Sequence, residues 1–230
     1  MQGPSGRSGR GAAVNSRVVT LVLLVGLCGA ALMLVPRMAA LRMPGNQQDY
    51  EPPQPIEFSH RLHAGELQVS CLYCHSGAEK SRHAGIPAAS ACMNCHQSVT
   101  APFGAIRAEE EQAKKEGRKV RPIVSPEIQK LYDALALNEK RERDPQKQPR
   151  PIAWTKIHSV PDYVYFDHRA HVNKGISCQQ CHGPVETMDR VRQQADLTMG
   201  WCVNCHRQNS PGFNGAGKVN PLADCATCHY

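Results

Sequence analysis

The sequence predicts a mostly irregular chain with short α-helices, set behind one N-terminal transmembrane helix. The run VVTLVLLVGLCGAALMLV over residues 18–35 carries no charge. The pattern Cys-x-x-Cys-His occurs five times beyond it. Only four Phe and two Trp, against 18 Gly and 17 Pro, serve a chain of 230 residues, which is thin material for an ordinary core.

The five motifs are Cys71-Leu-Tyr-Cys74-His75, Cys92-Met-Asn-Cys95-His96, Cys178-Gln-Gln-Cys181-His182, Cys202-Val-Asn-Cys205-His206 and Cys225-Ala-Thr-Cys228-His229, here motifs I to V. They use ten of the eleven cysteines. Two thiols on one tight turn can form thioethers to the two vinyl groups of a porphyrin, and the next histidine falls under the iron as its first axial ligand. Zinc sites also use paired Cys-x-x-Cys, and cysteine-rich exported domains use disulfides. Neither needs a histidine after every second cysteine. The expected cofactors are five covalently attached haem c groups, whose apolar mass replaces the conventional core.

The formal charge of +7 points at first to nucleic acid or an anionic surface. Five haems with ionised propionates would bring it to roughly +2 when ferric or −3 when ferrous. Arg7, Arg10 and Arg17 also lie in the N-terminal tail. No nucleic-acid partner is expected.

Residues 1–17 read as a Gly-, Ser- and Arg-rich cytoplasmic tail. Residues 18–41 approach the span of a bilayer and read as a retained anchor. The rival, a cleaved signal peptide, has a shorter apolar region and an Ala-x-Ala-like site, which Met38-Ala-Ala-Leu matches poorly. Cys28 follows Leu27 rather than a small residue, so it reads as an apolar helix position. Covalent c-type attachment occurs outside the cytoplasmic membrane, which places the haem domain on the outer, periplasmic face. Residues 42–57, with Pro44, Pro52, Pro53 and Pro55, form an extended tether.

An internal repeat follows. Phe58-Ser-His60-Arg-Leu-His63 precedes motif I, and Phe166-Asp-His168-Arg-Ala-His171 precedes motif III. Residues 58–97 are thus a dihaem unit and 158–230 a trihaem unit. Between them, 98–157 form a helical insert and linker. Ala105 to Lys119 is charge-rich and reads as a solvated helix. Ser125-Pro126 is a helix start, and Ile128, Leu131, Tyr132 and Leu135 make one apolar face. Thr187 to Asp196 reads as another short helix.

Beyond the five motif histidines remain His60, His63, His83, His158, His168 and His171, six for at most five distal positions. A haem with two imidazole ligands moves electrons and has no open site for substrate. Residues three apart on a turn diverge, so the two histidines of each His-x-x-His serve different haems. Methionine is the competing ligand, and Met188 is the best placed, for the haem on Cys202/Cys205; Met199 is too near Cys202 to wrap back.

The Phe-x-His-x-x-His segment before a Cys-x-x-Cys-His resembles the class III multihaem cytochromes, the c3 and c7 group. The resemblance implies His60 for the haem on Cys71/Cys74 and His168 for that on Cys178/Cys181. It also implies that His171 reaches a later haem, the one on Cys225/Cys228. The first unit has no third haem, so His63 is expected to depart from the pattern and reach a haem of the other unit. His83 and His158 remain for two further irons.

One anchor, two unequal units and five motifs, with Trp154-Thr-Lys-Ile-His158-Ser-Val-Pro-Asp-Tyr and Leu197-Thr-Met-Gly-Trp-Cys202, resemble the membrane-anchored pentahaem subunit of bacterial alternative complex III. The resemblance implies an electron-transfer wire in a quinol-oxidising membrane complex. Its partners would be an iron–sulfur subunit, polytopic quinol-binding subunits, and a monohaem cytochrome c or terminal oxidase as acceptor. The alternatives are a single-anchor quinol dehydrogenase feeding periplasmic reductases and a reductase with one open haem. No nucleophile–base pair or phosphate-binding glycine loop argues for an enzyme site on the chain itself.

Overall fold

The computed structural model describes residues 16–40, 46–209, 222 and 224–229, with residues 36–40 as backbone alone. Most of the expected tail, the start of the tether and the stretch between motifs IV and V lie outside these residues. The chain divides into two compact units, Met1–Met43 and Pro44–Tyr230.

The first unit holds helix α1, Ser16–Ala40. At 25 residues it rises about 37 Å, more than the roughly 30 Å of a hydrocarbon core. Leu21, Leu24, Leu27 and Leu32 are all exposed, and a helix apolar on every side belongs in lipid or inside a larger assembly. The segment Ser16–Val35 is long and apolar enough to cross a membrane.

The second unit is a series of short helices joined by ordered coil. In order they are α2 (Cys71–Cys74), α3 (Ala89–His96), α4 (Phe103–Glu116), α5 (Pro126–Ala134), α6 (His168–Val172), α7 (Cys178–His182), α8 (Met199–Gln208) and α9 (Cys225–Cys228). Among the described residues there is no strand, only the isolated bridges Leu137 with Arg143 and Val164 with His229.

The insert follows its local signals. Ser125 caps α5, its Oγ accepting from the Ile128 N–H at 3.3 Å, with Pro126 at the first helical position. The apolar face puts Leu131 at 5 % and Tyr132 at 3 % exposure, against α3. There the Tyr132 hydroxyl donates to the His96 carbonyl at 2.5 Å. Helix α4 starts two residues before the charge pattern suggests and ends at Gly117, whose φ of +64° suits a left-handed cap. Arg118 beyond it pairs with Glu109 and Glu116. The insert therefore braces motif II.

The expected helix over Thr187 to Asp196 does not form. A single 3-10 turn, Val185–Thr187, stands there. Gln193, fully buried, donates from its Nε2 to the Ala195 carbonyl at 3.0 Å, while its N–H donates to Tyr50 and its carbonyl accepts from Asp49. Side-chain bonding to nearby backbone and pairing with a distant segment outcompete the helical ladder.

The two His-x-x-His segments are each seated on the other half. The Arg61 N–H donates to the Met188 carbonyl at 2.9 Å, and the Arg61 guanidinium pairs with Asp189 at 3.0 Å, just past motif III. In exchange the N–H groups of His168 and Arg169 donate to the carbonyls of Arg82 and Ser81, and Asn173 donates to Glu79, all just past motif I. Arg82 in turn lies over the Tyr165 ring at 4.6 Å.

Candidate haem-binding site

Each motif sits on one helical turn, which sets its two thiols three residues apart on one side. Four of the five motif histidines then turn their Nδ1 to a backbone carbonyl: His75 to Gly85 at 2.7 Å, His96 to Val99 at 2.8 Å, His206 to Leu222 at 2.6 Å and His229 to Tyr163 at 3.4 Å. A carbonyl can only accept, so Nδ1 carries the hydrogen and Nε2 keeps its lone pair. That is the tautomer in which Nε2 binds metal, held by an outer hydrogen bond.

Three of the four histidines of the His-x-x-His pairs obey the same rule, while His60 has its Nδ1 buried without a hydrogen-bond partner. His63 donates from Nδ1 to the Ser59 carbonyl at 2.9 Å, four residues back, and His171 donates to Asp167 at 2.8 Å, also four back. His168 donates to the Arg82 carbonyl at 2.8 Å. The preceding phenylalanines wedge both pairs alike. Phe58 meets His60 edge-on at 4.9 Å and stacks on His63 at 4.3 Å, while Phe166 meets His168 edge-on at 4.8 Å and stacks on His171 at 4.8 Å.

So oriented, the rings face motif histidines in pairs. His63 lies 6.1 Å from His96, His168 lies 6.3 Å from His182, and His171 lies 6.0 Å from His206, ring centre to ring centre. Two imidazoles on opposite sides of one metal, with bonds of about 2.0 Å and nitrogen to ring centre of about 1.1 Å, stand about 6 Å apart. The donor set fits a six-coordinate haem iron. Among the described residues no three His, Cys, Asp or Glu side chains converge on a metal-sized point, so the recurring unit is a facing pair, not a cage.

The charge state agrees. Burial pushes His60 down to about 4 and His182 down to about 3, with nearby histidines, His75 first for His60 and His158 first for His182, acting the same way. Both rings are neutral near pH 7, as a metal ligand must be.

Residues 164–230 match the family described as cytochrome c7 and related cytochrome c. A stretch of 196 residues is 24% identical to the menaquinone reductase, multiheme cytochrome c subunit, of Nitratidesulfovibrio vulgaris strain Hildenborough, covering 76% of each chain. Over these residues the chain is similar to multihaem cytochromes c. The cytochrome c family implies covalently bound haem c, for which the five motifs supply the thiols and the histidines.

The structure sets two of the His-x-x-His histidines beside motifs other than the expected ones. His63 faces His96 of its own unit rather than a motif of the other. His171 faces His206 rather than His229, so that an imidazole stands where Met188 was expected. Met188 lies instead in the loop after the 3-10 turn, 8 % exposed, its carbonyl holding Arg61. His83 is exposed. His158 is inside, its ring edge-on to His182 at 4.3 Å and its Nε2 buried with no hydrogen-bond partner; burial, with His168 beside it, pushes its pKa down to about 4. The Nδ1-to-carbonyl clamps escaped sequence reading because their acceptors are backbone atoms, which carry no residue signature.

Proposed function

We propose that this cytochrome is a pentahaem electron-transfer subunit, anchored in the cytoplasmic membrane by α1 with its haem domain on the outer face. The facing histidine pairs carry this reading. His63 with His96, His168 with His182, and His171 with His206 would hold three irons from both sides. His60 with His75 would hold a fourth, as the equivalents of His168 and His182 in the repeat. His229 would ligate the fifth. Bound there, haem supplies one-electron redox chemistry. The chain's residues fix imidazole orientation, keep each ring neutral and leave no open position on the paired sites.

A single helix cannot enclose a quinol, so quinone chemistry is assigned to neighbours: an iron–sulfur subunit and polytopic subunits, as in alternative complex III, with a monohaem cytochrome or oxidase as acceptor. The name of the Nitratidesulfovibrio relative favours a second reading, in which the same wire delivers electrons to menaquinone. Purification of the complex from membranes in mild detergent tests both. Mass spectrometry should show five haems on this chain together with iron–sulfur and polytopic partners, and the purified complex should reduce a cytochrome with quinol as donor. Fewer than five haems, or a chain arriving alone, overturns the proposal. Menaquinone reduction without quinol oxidation selects the second reading.

A further inference from the structure

We infer that the five haem-attachment sites lie in space in the order II–I–III–IV–V, so that the junction between the two units runs through motifs I and III and the ends of the row are motifs II and V. This rests on the reading that all five motifs carry haem. Sequence order alone would place motif II next to motif III.

Four joints carry the inference. Motifs I and II are tied by their own intervening residues, Asn94 donating from Nδ2 to the Tyr73 hydroxyl at 2.8 Å, and by His60 and His63 on one turn. Motifs I and III are joined by the exchanged seats. The first His-x-x-His rests on Met188 and Asp189, and the second rests on Ser81 and Arg82. At Gly65 even an added Cβ would strike the Glu186 carbonyl, which shows how closely the backbones meet there. Motifs III and IV are bracketed by α6, whose His168 faces His182 and whose His171 faces His206. Motif V closes the row. His206 of motif IV donates to the Leu222 carbonyl just ahead of motif V at 2.6 Å, and the backbone of motif V is held by Tyr165, whose N–H donates to the Cys228 carbonyl at 2.7 Å just ahead of α6.

In each unit, then, a His-x-x-His is a bracket spanning two successive sites, and the two brackets are docked on each other. The test uses the full-length holoprotein and pairs of His→Met exchanges, which raise the potentials of the chosen sites so that two haems titrate apart from the rest. Neighbouring charges repel in proportion to closeness and are screened over about 8 Å. The pair His60→Met with His168→Met (motifs I and III) should therefore split into two waves. The pair His63→Met with His168→Met (motifs II and III) should split less or not at all. A larger splitting for motifs II and III overturns the order. Haem mass is measured on every variant; a native chain with fewer than five haems sinks the function proposed above instead. If an exchange loses its haem, electron cryomicroscopy of the unmodified complex decides, since a macrocycle on Cys92/Cys95 lying between those on Cys71/Cys74 and Cys178/Cys181 would equally overturn it.

Discussion

The ring of His168 stands 6.3 Å from that of His182 and within 8° of parallel to it, although the hydrogen bond that aims it ends on Arg82, in the other half of the molecule. Its position is thus set from both halves of the haem domain at once. Replacing His168 by Met exchanges one axial ligand and should raise one redox wave while haem mass stays unchanged. Replacing it by Ala should instead leave one haem able to bind carbon monoxide. Potentiometric titration followed by visible spectra reads both; an unchanged titration curve in the Met variant would remove His168 from the ligand set.

Tyr132 ties the insert to motif II through one hydrogen bond to His96 from a nearly enclosed position. Tyr132→Phe should cost about 1 kcal/mol. Leu131→Ala, beside it on the same face, should cost about 3 kcal/mol through the cavity it leaves. Urea unfolding of the holoprotein measures both. Tyr132→Phe should also disturb the spectrum of one haem, since the carbonyl it holds belongs to a ligand residue.

At Gly65 there is no room for a methyl group, because the Glu186 carbonyl occupies the place. Gly65→Ala should destabilise by about 1–3 kcal/mol. Gly104→Ala in α4, where a Cβ meets nothing, should stabilise by about 0.5–1 kcal/mol. Equal melting temperatures for the two variants would contradict the packing described between the units.

Glu109 accepts from the Arg118 guanidinium and from the Arg121 N–H at 2.8 Å, and these bonds, Arg118 foremost, hold its carboxyl down at about 2. The unfolded chain takes up that proton at about 4.5, so stability from this group is complete above pH 4.5. It is lost as pH falls toward 2. Arg118→Ala should remove this part of the acid dependence, read as a smaller loss of urea midpoint between pH 6 and pH 3 than in the unchanged chain.

Local chemistry was legible wherever neighbours in sequence decide it. The five motifs, the Phe-x-His-x-x-His repeat and the Ser125-Pro126 start of α5 are all short-range patterns. Which histidine faces which motif was not legible. Two histidines on one turn declare only that they diverge, and their targets depend on how distant coil folds back. His63 and His171 stand beside His96 and His206 rather than the expected motifs for that reason. The helix expected after Thr187 failed because Gln193 bonds to Tyr50 and Asp49, partners that no local window contains.

The exchanged seats of Arg61 on Met188 and of His168 on Arg82 also fix an order of birth. On the export proposed above, Cys71 and Cys74 would leave the membrane while the backbone that covers their neighbourhood is still inside. The attachment machinery meets the first site open, and only the arrival of residues 185–189 closes the seam. A secreted fragment ending at residue 157 should consequently remain protease-sensitive around His60 even with haem bound, and co-expression of residues 158–230 should protect it.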